Sequence, residues 1–322
     1  MMMPHRLSHL AAGLLSVTFA LLLIQQPAVV AGEWDELTKE SPWVFLGDSN
    51  TYAGGYVAAI DAAVQGDASL ARKPFIVNLG MPSETASGLS EPDHPFPRPC
   101  IHERVDSVLD VVKPSVVFIC YGMNDGIYAP LSEERMQAYR QGMLRLAEKI
   151  RKQGAKLICL TPPLFEVAPV AKQGKLGPTA EGNYAWFAPF ENYDEVLAEQ
   201  AKWCLKNEIE ADQVIDLRTA LLEYKQRLQQ TDSDFAFSGD GVHFGTEAHD
   251  WLARTILKEL GAPEAVQQHQ LTETSRNRTM KRMHLLRDAY IEATGKNRPG
   301  LPEGLSIPEA TQKADVLLES PR

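Results

Sequence analysis

Cysteine is scarce in this chain, with 4 in 322 residues and no pair spaced as C-x-x-C. That excludes a disulfide-built scaffold and the usual zinc-site spacing. Positive charge is in deficit too: 32 Lys and Arg stand against 42 Asp and Glu, a net charge of −10. Such an acid excess argues against a general nucleic-acid binder. Internal repeats are absent, and the chain has a single long apolar run, Leu10 to Ile24. That run is short of the roughly 20 residues a membrane span requires. It follows the basic His5-Arg6 and precedes Ala28-Val29-Val30-Ala31, small residues suited to cleavage before Gly32. The layout is that of a secretory signal over residues 1–31, which implies export and a mature chain without an integral membrane span.

From Trp43 to about residue 260, short apolar runs alternate with helical patterns. Strands are predicted at Trp43–Leu46, Phe75–Leu79, Val116–Cys120, Lys156–Leu160 and Gln213–Asp216. Helices are predicted at Gly55–Val64, Ile101–Val112, Glu133–Lys152, Asn192–Asn207, Thr219–Gln229 and Thr246–Leu260. The strands are continuously apolar rather than alternating, as expected of a parallel sheet buried on both faces. The fold class is therefore α/β: a three-layer α/β/α sandwich on a mostly parallel five-stranded sheet. Cys120 and Cys159 end two of these runs, where buried free thiols are expected, although a bridge between neighbouring strands stays open. The main domain is assigned to residues 32–262. Residues 263–322 are read as a helical appendage, with an Arg-rich helix over Thr274–Thr294 and a capping box at Ser306-Ile307-Pro308-Glu309.

Chemistry-bearing residues gather where the strands stop. Gly47-Asp48-Ser49-Asn50 follows the first strand and Asn78-Leu79-Gly80 ends the second. Gly122-Met123-Asn124-Asp125 follows the third, and Asp240-Gly241-Val242-His243 lies on a polar loop near the end of the domain. A serine hydroxyl becomes a useful nucleophile only beside a base, and an imidazole base needs a carboxylate to fix its tautomer. Taken singly, Ser49 reads as a helix cap and Gly80 and Asn124 as turn formers. In this order, at successive strand ends, they read as a site.

The blocks resemble those of the SGNH hydrolase superfamily, the GDSL-like esterases and lipases, with G-D-S, N-x-G, G-x-N-D and D-x-x-H in order over residues 43–260. The resemblance implies a flavodoxin-like fold, with Ser49 as nucleophile, His243 as base and Asp240 as its partner. It also implies an oxyanion hole built from the backbone N–H groups of Ser49 and Gly80 and the side-chain amide of Asn124. Donors aimed at a developing oxyanion stabilise it by about 3 kcal/mol each. No metal or organic cofactor is required. The family often carries a second glycine three residues after the first, where this chain has Ser83, and commonly Leu or Ile where it has Asn50. That last change is expected to alter only local packing.

Other polar residues receive structural readings: Asp48 braces the loop, and His249 lies on the following helix. His94 and His102 flank a proline-rich loop and are candidates to line the pocket. Tyr184, Trp186, Phe187 and Phe190 are expected to cover the sheet edge rather than to stack on a substrate. The expected function is hydrolysis of a carboxylic ester through an acyl-serine, with a carbohydrate acetyl ester as the first substrate class. A small-molecule or oligosaccharide ester is thus the implied partner, and oligomeric state is not legible. Cleavage of lysophospholipid or other lipid esters, acetyl transfer, and a non-catalytic binding module on the same scaffold stay open as alternatives.

Overall fold

The computed structural model describes residues 33–319, so the signal expected over residues 1–31 lies outside the described residues. The strands are β1 (Trp43–Gly47), β2 (Ile76–Asn78), β3 (Val116–Cys120), β4 (Lys156–Leu160) and β5 (Gln213–Ile215). The helices of the main body are α1 (Glu33–Lys39), α2 (Ser49–Ala53), α3 (Gly55–Gly66), α4 (Val105–Val112), α5 (Glu133–Lys152), α6 (Val167–Lys172), α7 (Tyr193–Leu205), α8 (Leu217–Gln229) and α9 (Thr246–Glu259). Beyond them come α10 (Glu264–Gln267), α11 (Glu273–Thr294) and α12 (Ile307–Glu319).

The five strands form one sheet in the order β2-β1-β3-β4-β5, and every pairing is parallel. β1 and β3 run level along their whole length, from Trp43 opposite Val116 to Gly47 opposite Cys120. After β1 the chain steps outward to β2 and then returns to the other side of β1. That reversal opens a crevice at the carboxyl ends of β1 and β3, where open parallel sheets carry their sites.

Alternation along each strand divides the core in two. Trp43, Phe45, Phe118, Ile158 and Leu160 face α1, α3, α8 and α9. Val44, Leu46, Val117, Ile119, Leu157 and Cys159 face α4, α5 and α7. The same alternation decides the open question about the thiols: Cys120 points into the first layer and Cys159 into the second, and all four cysteines are free. A bridge between them is thus excluded although their strands are neighbours.

The predicted elements recur with small shifts at their ends. Ile101–Val112, expected as one helix, is a 3-10 turn at Ile101–Glu103 followed by α4. Arg104 breaks it at φ −130°, where its guanidinium is drawn into a buried pair with Glu84. The helices absent from the sequence reading are α1, α2, α6 and α10, of 7, 5, 6 and 4 residues. Segments that short do not display a helical period.

The appendage is docked closely. α11 lies along edge strand β2 and against α3 and α12. Arg282 of α11 forms a buried ion pair with Asp61 of α3. The covering also shields an edge that would otherwise expose unpaired backbone groups.

Phe118 sits at the centre of the first layer, its ring 4.2 Å from Phe45 and 5.6 Å from Trp43. Phe118→Ala is expected to cost about 3–5 kcal/mol through lost burial and a residual cavity. Urea unfolding followed by circular dichroism measures it; a cost below about 1 kcal/mol would contradict this packing.

Candidate active site

β1 ends in a sharp turn, and Gly47 permits it: a Cβ there would meet Thr51 Oγ1 at 2.3 Å and the Cys120 carbonyl at 2.7 Å. Asp48 then caps α2, its carboxylate accepting the Asn50 N–H at 3.0 Å. Ser49 becomes the first residue of α2, at the mouth of the crevice. Burial pushes the Asp48 carboxyl up to about 6, against the Asn50 hydrogen bond and the attraction of His243.

The polar loop that opens α9 meets Ser49 from across the chain. His243 Nε2 lies 2.9 Å from Ser49 Oγ, and His243 Nδ1 lies 2.7 Å from Asp240 Oδ2. The other carboxylate oxygen of Asp240 accepts from the N–H groups of Val242 (2.9 Å) and His243 (2.8 Å) and from the Ser238 hydroxyl (2.9 Å). Burial works to raise the Asp240 pKa, but the His243 ring and these backbone donors prevail and hold it well below the usual carboxylate range. The hydrogen bond and charge of Asp240 in turn raise the imidazole above 6.5, with burial opposing and Asp48 adding to the rise. The arrangement suits Asp240 to hold Nδ1–H while Nε2 takes a proton from Ser49.

Asn50 has a larger role than the packing change expected of it. Its Nδ2 donates to the Val242 carbonyl at 2.9 Å, and its Oδ1 accepts the Phe244 N–H at 3.1 Å. One buried amide thus grips the backbone on both sides of His243. Leu or Ile at this position has neither group.

The cavity in front of Ser49 has a volume of about 430 Å³, and Asn124, Asp240 and His243 line it as well. The Asn124 amide donates one hydrogen to the Glu84 carbonyl at 3.2 Å and accepts from the Tyr128 hydroxyl at 3.2 Å. Its second amide hydrogen is left over. Gly80, expected as an oxyanion donor, is placed elsewhere. Its N–H donates to Asn78 Oδ1 at 2.9 Å, and its Cα is wedged against α2, where a Cβ would meet the Tyr52 nitrogen at 2.4 Å. Further along that loop Pro82 and Ser83 do line the cavity, and Ser83, at φ +66°, has an N–H that finds no acceptor among the described residues. Positive φ strains a residue with a Cβ and favours glycine. The departure from a family glycine at this position was the sequence signal for it.

The Ser83 loop is fixed by Asp125 of the G-x-N-D block and by several groups outside the motifs. Arg104 forms bonds of 2.6 and 2.7 Å with the Glu84 carboxylate, which also accepts from the Tyr121 hydroxyl at 2.7 Å. Arg104 further donates to the Leu79 carbonyl at 2.7 Å. Asp125 accepts the N–H groups of Ala86 (2.8 Å) and Ser87 (2.7 Å). Arg98, paired with buried Glu91 at 2.5 and 2.6 Å, donates to the Ser83 carbonyl at 3.2 Å.

His94 lines the cavity, whereas His102 does not. His249 stacks beside Tyr56 with ring centroids 6.0 Å apart, and burial holds its pKa down at about 4, so it stands as a neutral packing residue. Tyr184 and Phe190 pack edge to face at 5.6 Å, but Trp186 and Phe187 do not cover the sheet edge. They form the tip of a tight turn closed by the Ala185–Ala188 bridge, line the cavity, and stay 51% and 41% exposed. No helix of the described residues is long and apolar enough to cross a membrane.

With this geometry in hand, residues 45–251 match the model of the GDSL-like lipase/acylhydrolase family. The chain belongs to that family, a class of carboxylic ester hydrolases. No curated protein sequence matches it. Among solved structures it is similar to a gut microbial diltiazem-metabolizing enzyme, with 17% identity and a TM-score of 0.52. That match covers 69% of this chain but 47% of the other, so the chain spans about half that enzyme's length. It is also similar to a catalytic mutant of Axe2, an acetylxylan esterase from Geobacillus stearothermophilus, with 20% identity, a TM-score of 0.50, and coverage of 70% and 96%. At these identities the likeness concerns the fold.

Two outcomes follow from the site. Asn50→Leu is expected to lower kcat toward a small ester by about 10²-fold through misplacement of His243, with a much smaller change in KM. An unchanged kcat would remove Asn50 from the positioning of the base. Because only neutral imidazole accepts the serine proton, kcat/KM should rise with pH to an inflection above 6.5. In Asp240→Asn that inflection should move down, as the carboxylate that holds the proton on His243 is gone; a pH–rate profile of each protein reads it.

Proposed function

We propose that the chain is an exported serine esterase that removes acyl groups from a carbohydrate, acetyl esters foremost. The observation that carries the reading is the continuous line from Ser49 Oγ through His243 to Asp240, at 2.9 and 2.7 Å, opening into a cavity. Ser49 Oγ attacks the ester carbonyl while His243 Nε2 takes its proton. The oxyanion is met by the N–H groups of Ser49 and Ser83 and by the free amide hydrogen of Asn124. Collapse of the intermediate expels the alkoxide, which His243 protonates. Water activated by the same imidazole then releases the acid and restores Ser49.

The sugar preference draws on two supports. Exposed Trp186 and Phe187 offer flat apolar faces at the cavity mouth, of the kind that pack against a sugar ring. The structurally similar Axe2 is described as an acetylxylan esterase. Export rests on the N-terminal residues 1–31 of the sequence.

Purified protein should hydrolyse p-nitrophenyl acetate and release acetate from an acetylated oligosaccharide. Ser49→Ala should lower the first rate by about 10³-fold or more. Retention of the rate in that variant would sink the assignment of the nucleophile, and faster cleavage of octanoate than of acetate esters would move the substrate from sugars to lipids.

A further inference from the structure

The residues matched by the family model end at 251, yet one residue lining the cavity, Arg298, comes from beyond them. After α11 the chain turns at Gly295 and brings Arg298 to the cavity mouth. There its guanidinium lies 5.3 Å from the centre of the Phe96 ring. Its one hydrogen bond runs to the carbonyl of the adjacent Pro299, at 2.8 Å. Nε is buried with no partner, and among the described residues no carboxylate pairs with this arginine. Guanidinium carries five donors in a planar fork matched to oxyanions, so most of its recognition capacity is unspent.

The rest of the mouth has the same sign. Lys175, from the loop that presents Trp186 and Phe187, also lines the cavity and forms no ion pair among the described residues. The third cation, Arg98, is neutralised by Glu91. Asp240 is the only carboxylate among the lining residues, and it is committed to His243. This concentration of unmatched positive charge occurs in a chain whose net charge is −10.

We propose that the C-terminal appendage is a specificity element, and that Arg298, assisted by Lys175, receives an anionic group on the alcohol side of the ester. The substrate class is then an O-acylated acidic saccharide, bearing a uronate carboxylate or a sulfate, with its ring against Trp186 and Phe187. This rests on the esterase reading above for the reaction, but the anion site rests on the cavity's own charges. Burial, and after it the like charge of Arg98, works against the Arg298 cation, and a bound anion offsets both. The helix that delivers Arg298 is anchored independently by the Arg282–Asp61 pair and by Arg287, which donates to the Tyr52 carbonyl at 2.8 Å.

The test has a catalytic arm and a binding arm. In the first, acetylated oligogalacturonate, an acetylated sulfated oligosaccharide and acetylated xylo-oligosaccharide are compared in the whole protein and in Arg298→Gln. The variant should lose about tenfold more kcat/KM on the acidic esters than on the neutral one, as loss of a charge-assisted bond implies. The acidic ester that shows the larger loss identifies carboxylate or sulfate as the natural group. An equal loss on all three substrates would mean a structural role and overturn the proposal. In the second arm, Ser49→Ala is titrated calorimetrically with deacetylated oligogalacturonate and with the sulfated oligosaccharide. Binding of either should weaken as salt is raised and weaken further when Arg298→Gln is added. Salt-independent binding, or none of either, overturns it. If the whole protein cleaves no ester but Ser49→Ala binds an acidic sugar in this way, the hydrolytic reading falls and the anion site stands.

Discussion

The buried amide of Asn50 joins two parts of the chain that are 192 residues apart or more. Its donor and acceptor take the carbonyl before His243 and the N–H after it, so the imidazole has little freedom to leave the Ser49 hydroxyl. Ser49 and this grip are consecutive residues on α2, and the position of one therefore fixes the other. The hydrogen bonds of Asp240 to the N–H groups of Val242 and His243 then shape the loop from within. A hydroxyl and an imidazole brought together from distant segments need such a tie, because in catalysis a displacement of about 1 Å costs much of the rate.

The second half of the cavity is held by buried charge. Glu84 and Arg104 neutralise each other in a fully enclosed pair, Tyr121 adds a hydroxyl, and Asp125 takes two backbone donors of the same loop. Removing one member of such a pair is far more damaging than the pair is stabilising. Its evident effect here is to hold Ser83 in a backbone conformation that a residue with a Cβ avoids. Strain of this sort persists where the surroundings over-determine it, and those places cluster at functional sites.

The appendage is bound into this architecture rather than added to its surface. Met283 of α11 meets the Asn78 amide at 3.3 Å, and Arg287 stacks 3.7 Å from the ring centre of Tyr52 in α2. The segment beyond the family's matched residues thus supports the helix that carries Ser49. It also supplies a cation, Arg298, to the lining of the cavity.

Much of the fold was legible in the sequence because its signals are local and periodic. Five continuous apolar runs separated by helical patterns specify a parallel sheet between two helical layers, and β3, α5 and β4 fall on the predicted residues. Ser49 and Asn124 stood out as candidates because strand ends hold few residues, and Asp240 and His243 because a carboxylate three residues before an imidazole suits a base and its partner; the structure gathers all four at one cavity. The rest depends on contacts between distant segments. Asn50 is one polar residue among many until the loop of His243 arrives beside it. Gly80 ends a strand in a motif position, but its N–H is taken by Asn78, and it is Ser83 that lines the cavity, through a backbone angle that composition does not encode. Arg298 is separated from Ser49 by most of the chain, and no periodicity links them. The layers and the kinds of reactive group follow from short-range pattern and intrinsic chemistry, and so are written in the order of residues. Which of those groups face one cavity, and what charge surrounds them, is set instead by the packing of segments that local sequence does not relate.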